Sequence, residues 1–217
     1  REGAVSAAAT SMTPGAVQTE ERGLTSSQAL PVLRVIGQYG NIYIIAEGPE
    51  GMYLIDQHAA HERVLYERFC AARASRRPDA QGLLDTIAID VPPRLRALVD
   101  DEAEALAEHG FTLEPFGEGA LLVRGLPAGL ARGDVRENVG RFLDVMVGED
   151  EGDRRDRVAM SLACHGAIRA GKQLSPEEMR ELVVQLERAD SPHTCPHGRP
   201  TIVHMSADAL ARGFGRR

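Results

Sequence analysis

Between residues 33 and 75, three short β-rich runs are followed, with no loop between, by one long helical stretch. That order leaves few folds open. Leu33 to Gln38 and Asn41 to Ala46 are separated only by the turn-forming Gly40-Asn41. Met52-Tyr53-Leu54-Ile55 follows the turn-like Glu47-Gly48-Pro49-Glu50-Gly51. A β hairpin extended by a third strand thus hands the chain directly to a helix from Gln57 to about Ser75. In that helix Ala59, Val64, Leu65 and Cys70 are the apolar positions among Arg and Glu, an amphipathic spacing. Arg76 to Gly82, with Pro78, breaks it.

Residues 78 to 150 have a different texture. Leu83 to Val91 reads as a strand, and Pro92-Pro93 opens a helix through about His109. Phe111 to Pro115 and Ala120 to Arg124 read as strands around Gly117-Glu118-Gly119. Asp134 to Val147 reads as a helix, closed by Gly148 and the acidic Glu149 to Asp153. The chain then returns with a helix from Asp156 to Ala170. A further helix starts at Ser175-Pro176-Glu177-Glu178, which carries an N-cap, a first-turn proline and a capping-box acid. A strand over Thr201 to Met205 and a short terminal helix complete the pattern. The expectation is an α/β (α+β) protein of two lobes, with residues 28–75 and 153–217 forming a discontinuous lobe and 78–150 inserted into it.

Residues 1–27 are rich in Ala, Ser, Thr, Gly and Glu with no period, and read as a flexible linker. A chain opening on such a stretch without Met is expected to be part of a longer protein. No apolar run approaches the roughly 20 residues that cross a bilayer, so no membrane partner is expected. Cys70, Cys164 and Cys195 are odd in number and widely spaced, which fits a reducing cytoplasm better than a disulfide framework. The net charge of −7 argues against tight unaided DNA binding, which draws on phosphate neutralisation by a basic face.

The chemistry-bearing residues fall in two dyads. His58 and Glu62 are four apart at the start of a helix, on one face and able to close on one ion. Asp56, at the preceding strand end, is near enough to join them. Glu67 lies five beyond Glu62, roughly 140° round the helix, so it shares that face poorly, and His61 points elsewhere. In Thr194-Cys195-Pro196-His197-Gly198-Arg199-Pro200, a thiol and an imidazole stand two apart in a proline-stiffened loop, both preferred zinc ligands. Cys164-His165 adds another pair. Each feature also has a plain reading: Asp56 as a helix N-cap, His58 and Glu62 as a solvated face, Cys164 as a small buried hydrophobe, the Cys195 segment as a rigid turn. Their co-occurrence, and the mixture of carboxylate, imidazole and thiol donors, points to an active-site metal cluster more than a closed structural zinc.

The stretch Asp56-Gln57-His58-Ala59-x-x-Glu62-x-x-x-x-Glu67 resembles the endonuclease motif of MutL homologues. The resemblance continues through Gly37-Gln38-Tyr39, Tyr43 to Ala46, Ala163 to Lys172, Cys195 to Pro200 and the terminal Phe214-x-Arg216. It implies a C-terminal dimerisation and endonuclease domain, homodimeric, with the inserted lobe regulatory. It further implies latent nicking of one DNA strand in mismatch repair, supported by manganese or magnesium, with zinc in a regulatory or structural position. Asp56, His58, Glu62, Cys195 and His197 match its metal positions, the first three being catalytic, with Cys164 near by and Glu67 behind the ligands. ATP would be bound only by a separate N-terminal domain, and a mismatch-recognition protein would be reached through the full-length protein.

Gln81-Gly82-Leu83-Leu84-Asp85-Thr86 resembles the family's sliding-clamp-binding peptide, through Gln81, Leu83 and Leu84, although Thr86 stands where the family often has Pro; an ordinary edge strand reads equally well. The competing function is a non-catalytic dimerisation module with a structural or regulatory zinc; a more distant one is an unrelated zinc-stabilised fold.

Overall fold

The computed structural model describes residues 29–117, 119–131, 133–148 and 153–216; the expected linker and nearly all of the acidic run 149–153 lie outside them. In chain order the elements are β1 (Arg34–Tyr39), β2 (Tyr43–Gly48), β3 (Gly51–Asp56), α1 (Gln57–Ala74), β4 (Ala80–Asp90), α2 (Pro93–Asp101), α3 (Ala103–Glu108), β5 (Thr112–Phe116), β6 (Ala120–Pro127), α4 (Val135–Gly148), α5 (Arg154–Gly166), α6 (Pro176–Glu187), β7 (Ile202–Ser206) and α7 (Ala207–Gly213). Helices and antiparallel strands mix as the α/β expectation requires.

The β1–β2 turn places Gly40 and Asn41 at φ 61° and 56°, the left-handed conformation that tight, right-twisted hairpins need. Gly51 opens β3 at φ 142°, where a Cβ would meet the Met205 carbonyl oxygen at 2.3 Å, so only glycine fits beside the returning strand. That strand, β7, pairs antiparallel with β3 and completes the order β1-β2-β3-β7. Ile44, Ala46, Tyr53 and Ile55 point inward and pack with Ala60 of α1 and with Met179, Leu182, Val183 and Leu186 of α6. The alternate residues Ile45, Leu54 and Val203 form a cross-strand row on the other face, and Val203 is 43% exposed. At the start of α6 the expected capping box is formed in both directions between Ser175 and Glu178.

The second sheet has the order β4-β6-β5. Ile89, Leu121 and Val123 meet Phe142, Leu143 and Met146 of α4, and the Phe111 ring stacks on Phe142 at 4.8 Å between centroids. Val158 and Leu162 of α5 belong to this second core, while α5 also packs against α1.

Three local expectations are corrected. The helix over Pro92 to His109 is two helices, interrupted at Glu102, whose buried carboxylate pairs with Arg157 of α5 at 3.0 Å. The helix expected to reach Ala170 stops at Gly166, and Ala167 is already extended at φ −65°, ψ 151°. In α1, burial follows no apolar stripe: the buried residues are Gln57, Ala59, Ala60, Glu62 and Arg63, so its N-terminal half enters the interior polar groups included.

Candidate metal centre

Such burial of polar groups is tolerable only where each finds a partner. Gln57 has no exposed surface; its carbonyl accepts from Gln38 Nε2 at 2.6 Å, and its own Nε2 donates to the Asn41 and Lys172 carbonyls at 2.7 and 3.1 Å. The start of α1 is thereby tied to the β1–β2 hairpin and to the segment after α5. Asp56 caps the helix, its Oδ1 accepting from the backbone N–H groups of His58 and Ala59 at 2.9 and 3.0 Å.

One turn in, the Glu62 side chain has no exposed surface and its two oxygens face different neighbours. Oε1 lies 3.2 Å from His58 Nε2, which donates to it when that nitrogen is protonated. Oε2 accepts from Arg199 Nη2 at 2.8 Å and lies 3.6 Å from His197 Nδ1. Burial by itself would raise the Glu62 pKa. Hydrogen bonds from His58 and Cys164, with the Arg199 charge, outweigh that and hold it down to about 2. The bond with Glu62 raises the His58 pKa, against the opposing effect of burial.

The Cys195 loop is brought to Glu62 by residues of α1. Arg63 is buried, and its Nε donates to the Thr194 carbonyl at 2.6 Å. Glu67 accepts from the Asp190 and Ser191 N–H groups at 2.8 and 3.0 Å. Within the loop, Cys195 N donates to the Arg199 carbonyl at 2.8 Å and Gly198 N to the Cys195 carbonyl at 2.9 Å. Gly198 sits at φ 78°, and Thr194 bridges to Pro200. This tight turn directs the buried Cys195 thiol and the His197 ring to the same place.

Donor atoms of Glu62, Cys195 and His197 consequently lie within 4.8 Å of one another, the one such trio among the described residues. His58 adjoins the trio through Glu62 Oε1, and Cys164 through its hydrogen bond to Glu62. Asp56 lies outside the trio and does the work of its plain reading, the N-cap. Glu67 holds the loop backbone. Two residues given no role from sequence stand out: Arg199, which neutralises Glu62, and His61, which accepts the Ile168 N–H. Opposite charge was the only hint available for Arg199, and nothing signalled His61.

A buried, ionised carboxylate beside imidazoles and a thiol is a donor set that suits a divalent cation. With His58 neutral its Nε2 lone pair faces the ionised Glu62 Oε1, and either a proton on His58, which Glu62 favours, or a cation serves both atoms.

Residues 36–174 match the model of the MutL C-terminal dimerisation domain. Among curated relatives, the DNA mismatch repair protein MutL of Symbiobacterium thermophilum is 42% identical over 202 residues, covering 90% of this chain and 32% of that protein. MutL of Methanoculleus marisnigri is 39% identical, over 94% of this chain and 38% of that protein. MutL of Azorhizobium caulinodans is 40% identical, over 83% and 29% respectively. The chain spans about a third of the length of the curated relatives it matches. The family model covers more than half of the chain, which belongs to the MutL C-terminal dimerisation domain family.

Proposed function

We propose that this chain is the dimerising, latent endonuclease part of a mismatch-repair protein, nicking one DNA strand with divalent metal held around Glu62. The observation that carries the reading is the geometry of Glu62: a carboxylate with no exposed surface, one oxygen 3.2 Å from His58 Nε2, the other turned to His197. Glu62, with His58 on one side and Cys195 and His197 on the other, would hold the divalent metal that phosphodiester cleavage needs. The imidazoles of His58 and His197 and the Cys195 thiol are donors that suit zinc, and the Glu62 carboxylate also suits manganese or magnesium. Bound metal would polarise the scissile phosphate and lower the pKa of an attacking water. The chain's own residues orient the donors and hold Glu62 ionised; Asp56 would join them on loading.

The homodimer is read onto the outer face of the β1-β2-β3-β7 sheet, where the row Ile45, Leu54 and Val203 is apolar and belongs to neither core cluster. Residues 28–75 and 153–217 are read as the dimerisation lobe and 78–150 as an inserted regulatory lobe, with α5 in the core of the inserted lobe and packed against α1. In the inserted lobe, five steps of the edge strand β4 from Gly82 to Ile87 run opposite two steps of β6, so the strand bulges there. Leu84 at that bulge is fully exposed and Gln81 is exposed. That exposure supports Gln81 and Leu84 in the proposed clamp-binding peptide Gln81, Leu83 and Leu84, whereas Leu83 packs partly buried against the second core; a DNA-encircling clamp would compensate for the net charge of −7. ATP binding and contact with a mismatch-recognition protein are assigned to other parts of a full-length protein. The compartment is read as the cytoplasm; no described helix is long and apolar enough to cross a membrane.

The test is nicking of supercoiled plasmid by the full chain with manganese, comparing Glu62→Gln. Loss of nicking and of metal binding in a folded dimer is the expected result. Should neither the chain nor a clamp-stimulated reaction nick, and should chelation melt the fold, the non-catalytic module with structural zinc takes its place.

A further inference from the structure

One peptide unit, at Ile168, is gripped by two histidines. Its carbonyl oxygen lies 2.9 Å from His58 Nδ1, and its N–H donates to His61 Nδ1 at 2.9 Å. A carbonyl can only accept and an amide N–H can only donate, so both ring tautomers follow. His58 must carry its proton on Nδ1, which leaves Nε2 as the atom turned to Glu62 Oε1 at 3.2 Å. His61 must present a lone pair at Nδ1.

We propose that His61 is a positioning residue for the metal centre: by holding the Ile168 peptide, it fixes the tautomer and orientation of the His58 ring so that Nε2 is delivered as a donor. The proposal rests on the metal-site reading of Glu62 and goes beyond it, because His61 touches no donor of the trio itself. Three features carry it. The helix α5 ends at Gly166 and Ala167 turns extended, which frees the Ile168 N–H and C=O from helical bonding and offers them sideways to α1. His58 and His61 leave the same helix three residues apart, near enough on its surface to reach the two ends of one peptide unit. Gly166 keeps the approach close, since a Cβ there would meet Leu65 Cδ1 at 3.1 Å. A ligand imidazole is commonly oriented by the partner of its other nitrogen, often a backbone carbonyl, and loss of such a partner weakens metal binding about 10–100-fold. Here that partner is a loop carbonyl, and His61 is what immobilises it.

The experiment uses the full chain with His61→Leu, His61→Asn and Glu62→Gln. Zinc affinity is read by competition with a chromophoric chelator, and imidazole tautomers by nitrogen-15 resonances of the metal-free protein. Asparagine can accept the Ile168 N–H through its side-chain oxygen; leucine cannot. The expected results are a roughly 10–100-fold loss of zinc affinity in His61→Leu, near wild-type affinity in His61→Asn, and a His58 ring that loses its single Nδ1-protonated form only in His61→Leu. Unchanged affinity and an unchanged His58 tautomer in His61→Leu would overturn the proposal, as would equal losses in both His61 variants. If His61→Leu does not fold, the wild-type spectrum decides: a His61 ring protonated on Nδ1 is incompatible with the proposal. If Glu62→Gln binds zinc as tightly as wild type, the metal-site reading fails instead, and the tautomer readout still judges His61.

Discussion

Arg199 Nη2 lies 2.8 Å from Oε2 of Glu62, a carboxylate with no exposed surface, while the Arg199 side chain itself remains 57% exposed. The guanidinium thus pairs directly with Glu62, adding to the larger effect of His58, and it approaches the oxygen turned to His197. Its own pKa is raised, first by a hydrogen bond with Cys195, so it contacts two of the three clustered donors. Arg199→Gln should therefore lower the stability of the metal-free protein by about 1–3 kcal/mol, the range for hydrogen bonds to charged groups. It should also tighten zinc binding roughly tenfold, because metal no longer displaces a competitor. Denaturant unfolding in chelator, repeated in zinc, checks this. An equal loss in both states would make Arg199 a purely structural partner.

Asp56 offers a test in which structure and catalysis separate. Its Oδ1 caps α1, and asparagine caps as well as aspartate does. Asp56→Asn should keep unfolding stability within about 0.5 kcal/mol, whereas Asp56→Ala should lose about 1 kcal/mol with the cap. On the endonuclease reading Asp56→Asn nonetheless loses manganese-dependent nicking of plasmid. A normally active Asp56→Asn would leave Asp56 a cap and nothing more.

Glu67 belongs to the same sequence motif but faces the loop. Both of its oxygens accept backbone N–H groups, from Asp190 and Ser191. Glu67→Ala should cost about 1–3 kcal/mol through those lost bonds and weaken zinc binding without changing the number of ions bound. Elemental analysis of the loaded variant checks the stoichiometry; one ion fewer would make Glu67 a ligand.

What could be read from sequence was what lies within a helical turn or a tight loop. His58 and Glu62 meet because residues four apart share a helix face, and Cys195 and His197 because two prolines and Gly198 confine five residues. The Ser175 capping box and the β1–β3 hairpins are local in the same sense. Contacts across long chain separations were not legible. Arg199 reaches Glu62 over 137 residues, and His61 meets Ile168 over 107. The same distant partners explain the misplaced helix ends. Backbone groups at Ile168 bond to histidines of α1 in place of their own turn, and the break at Glu102 coincides with a buried pair to Arg157. The polar burial of α1 likewise contradicts an amphipathic spacing, because its partners are backbone atoms of segments arriving later in the chain.

If the sheet face bearing Ile45, Leu54 and Val203 is the dimer contact, a charge in that row must be desolvated on association. Val203→Asp should weaken the dimer by about 2 kcal/mol or more, roughly thirtyfold in dissociation constant. Leu54 stands directly opposite Val203 in the β3–β7 register, so Leu54→Asp should act alike. Light scattering across a dilution series reads the shift to monomer. A dimer unchanged by both substitutions would move the contact elsewhere.

His109 provides a pH dependence remote from the metal centre. Its ring is buried, Nδ1 is 2.8 Å from the Ala105 carbonyl, and Nε2 is buried with no hydrogen-bond partner. Protonating that nitrogen would bury an uncompensated N–H and charge. Burial accordingly lowers the His109 pKa, the Ala105 bond and the Glu108 and Asp156 charges opposing it and Arg73 assisting. With the folded value below an unfolded value near 6.5, the unfolded chain binds the proton first as pH falls. The stabilising contribution is complete above about pH 6.5 and is lost progressively below it, as pH falls toward the folded value. Unfolding in chelator between pH 7.5 and 5, compared with His109→Leu, isolates this share, because His61 and His165 are shifted in the same direction and remain in both proteins. The variant should lose stability less steeply below about pH 6.5; identical slopes would show that His109 takes up its proton in the fold as readily as in the unfolded chain.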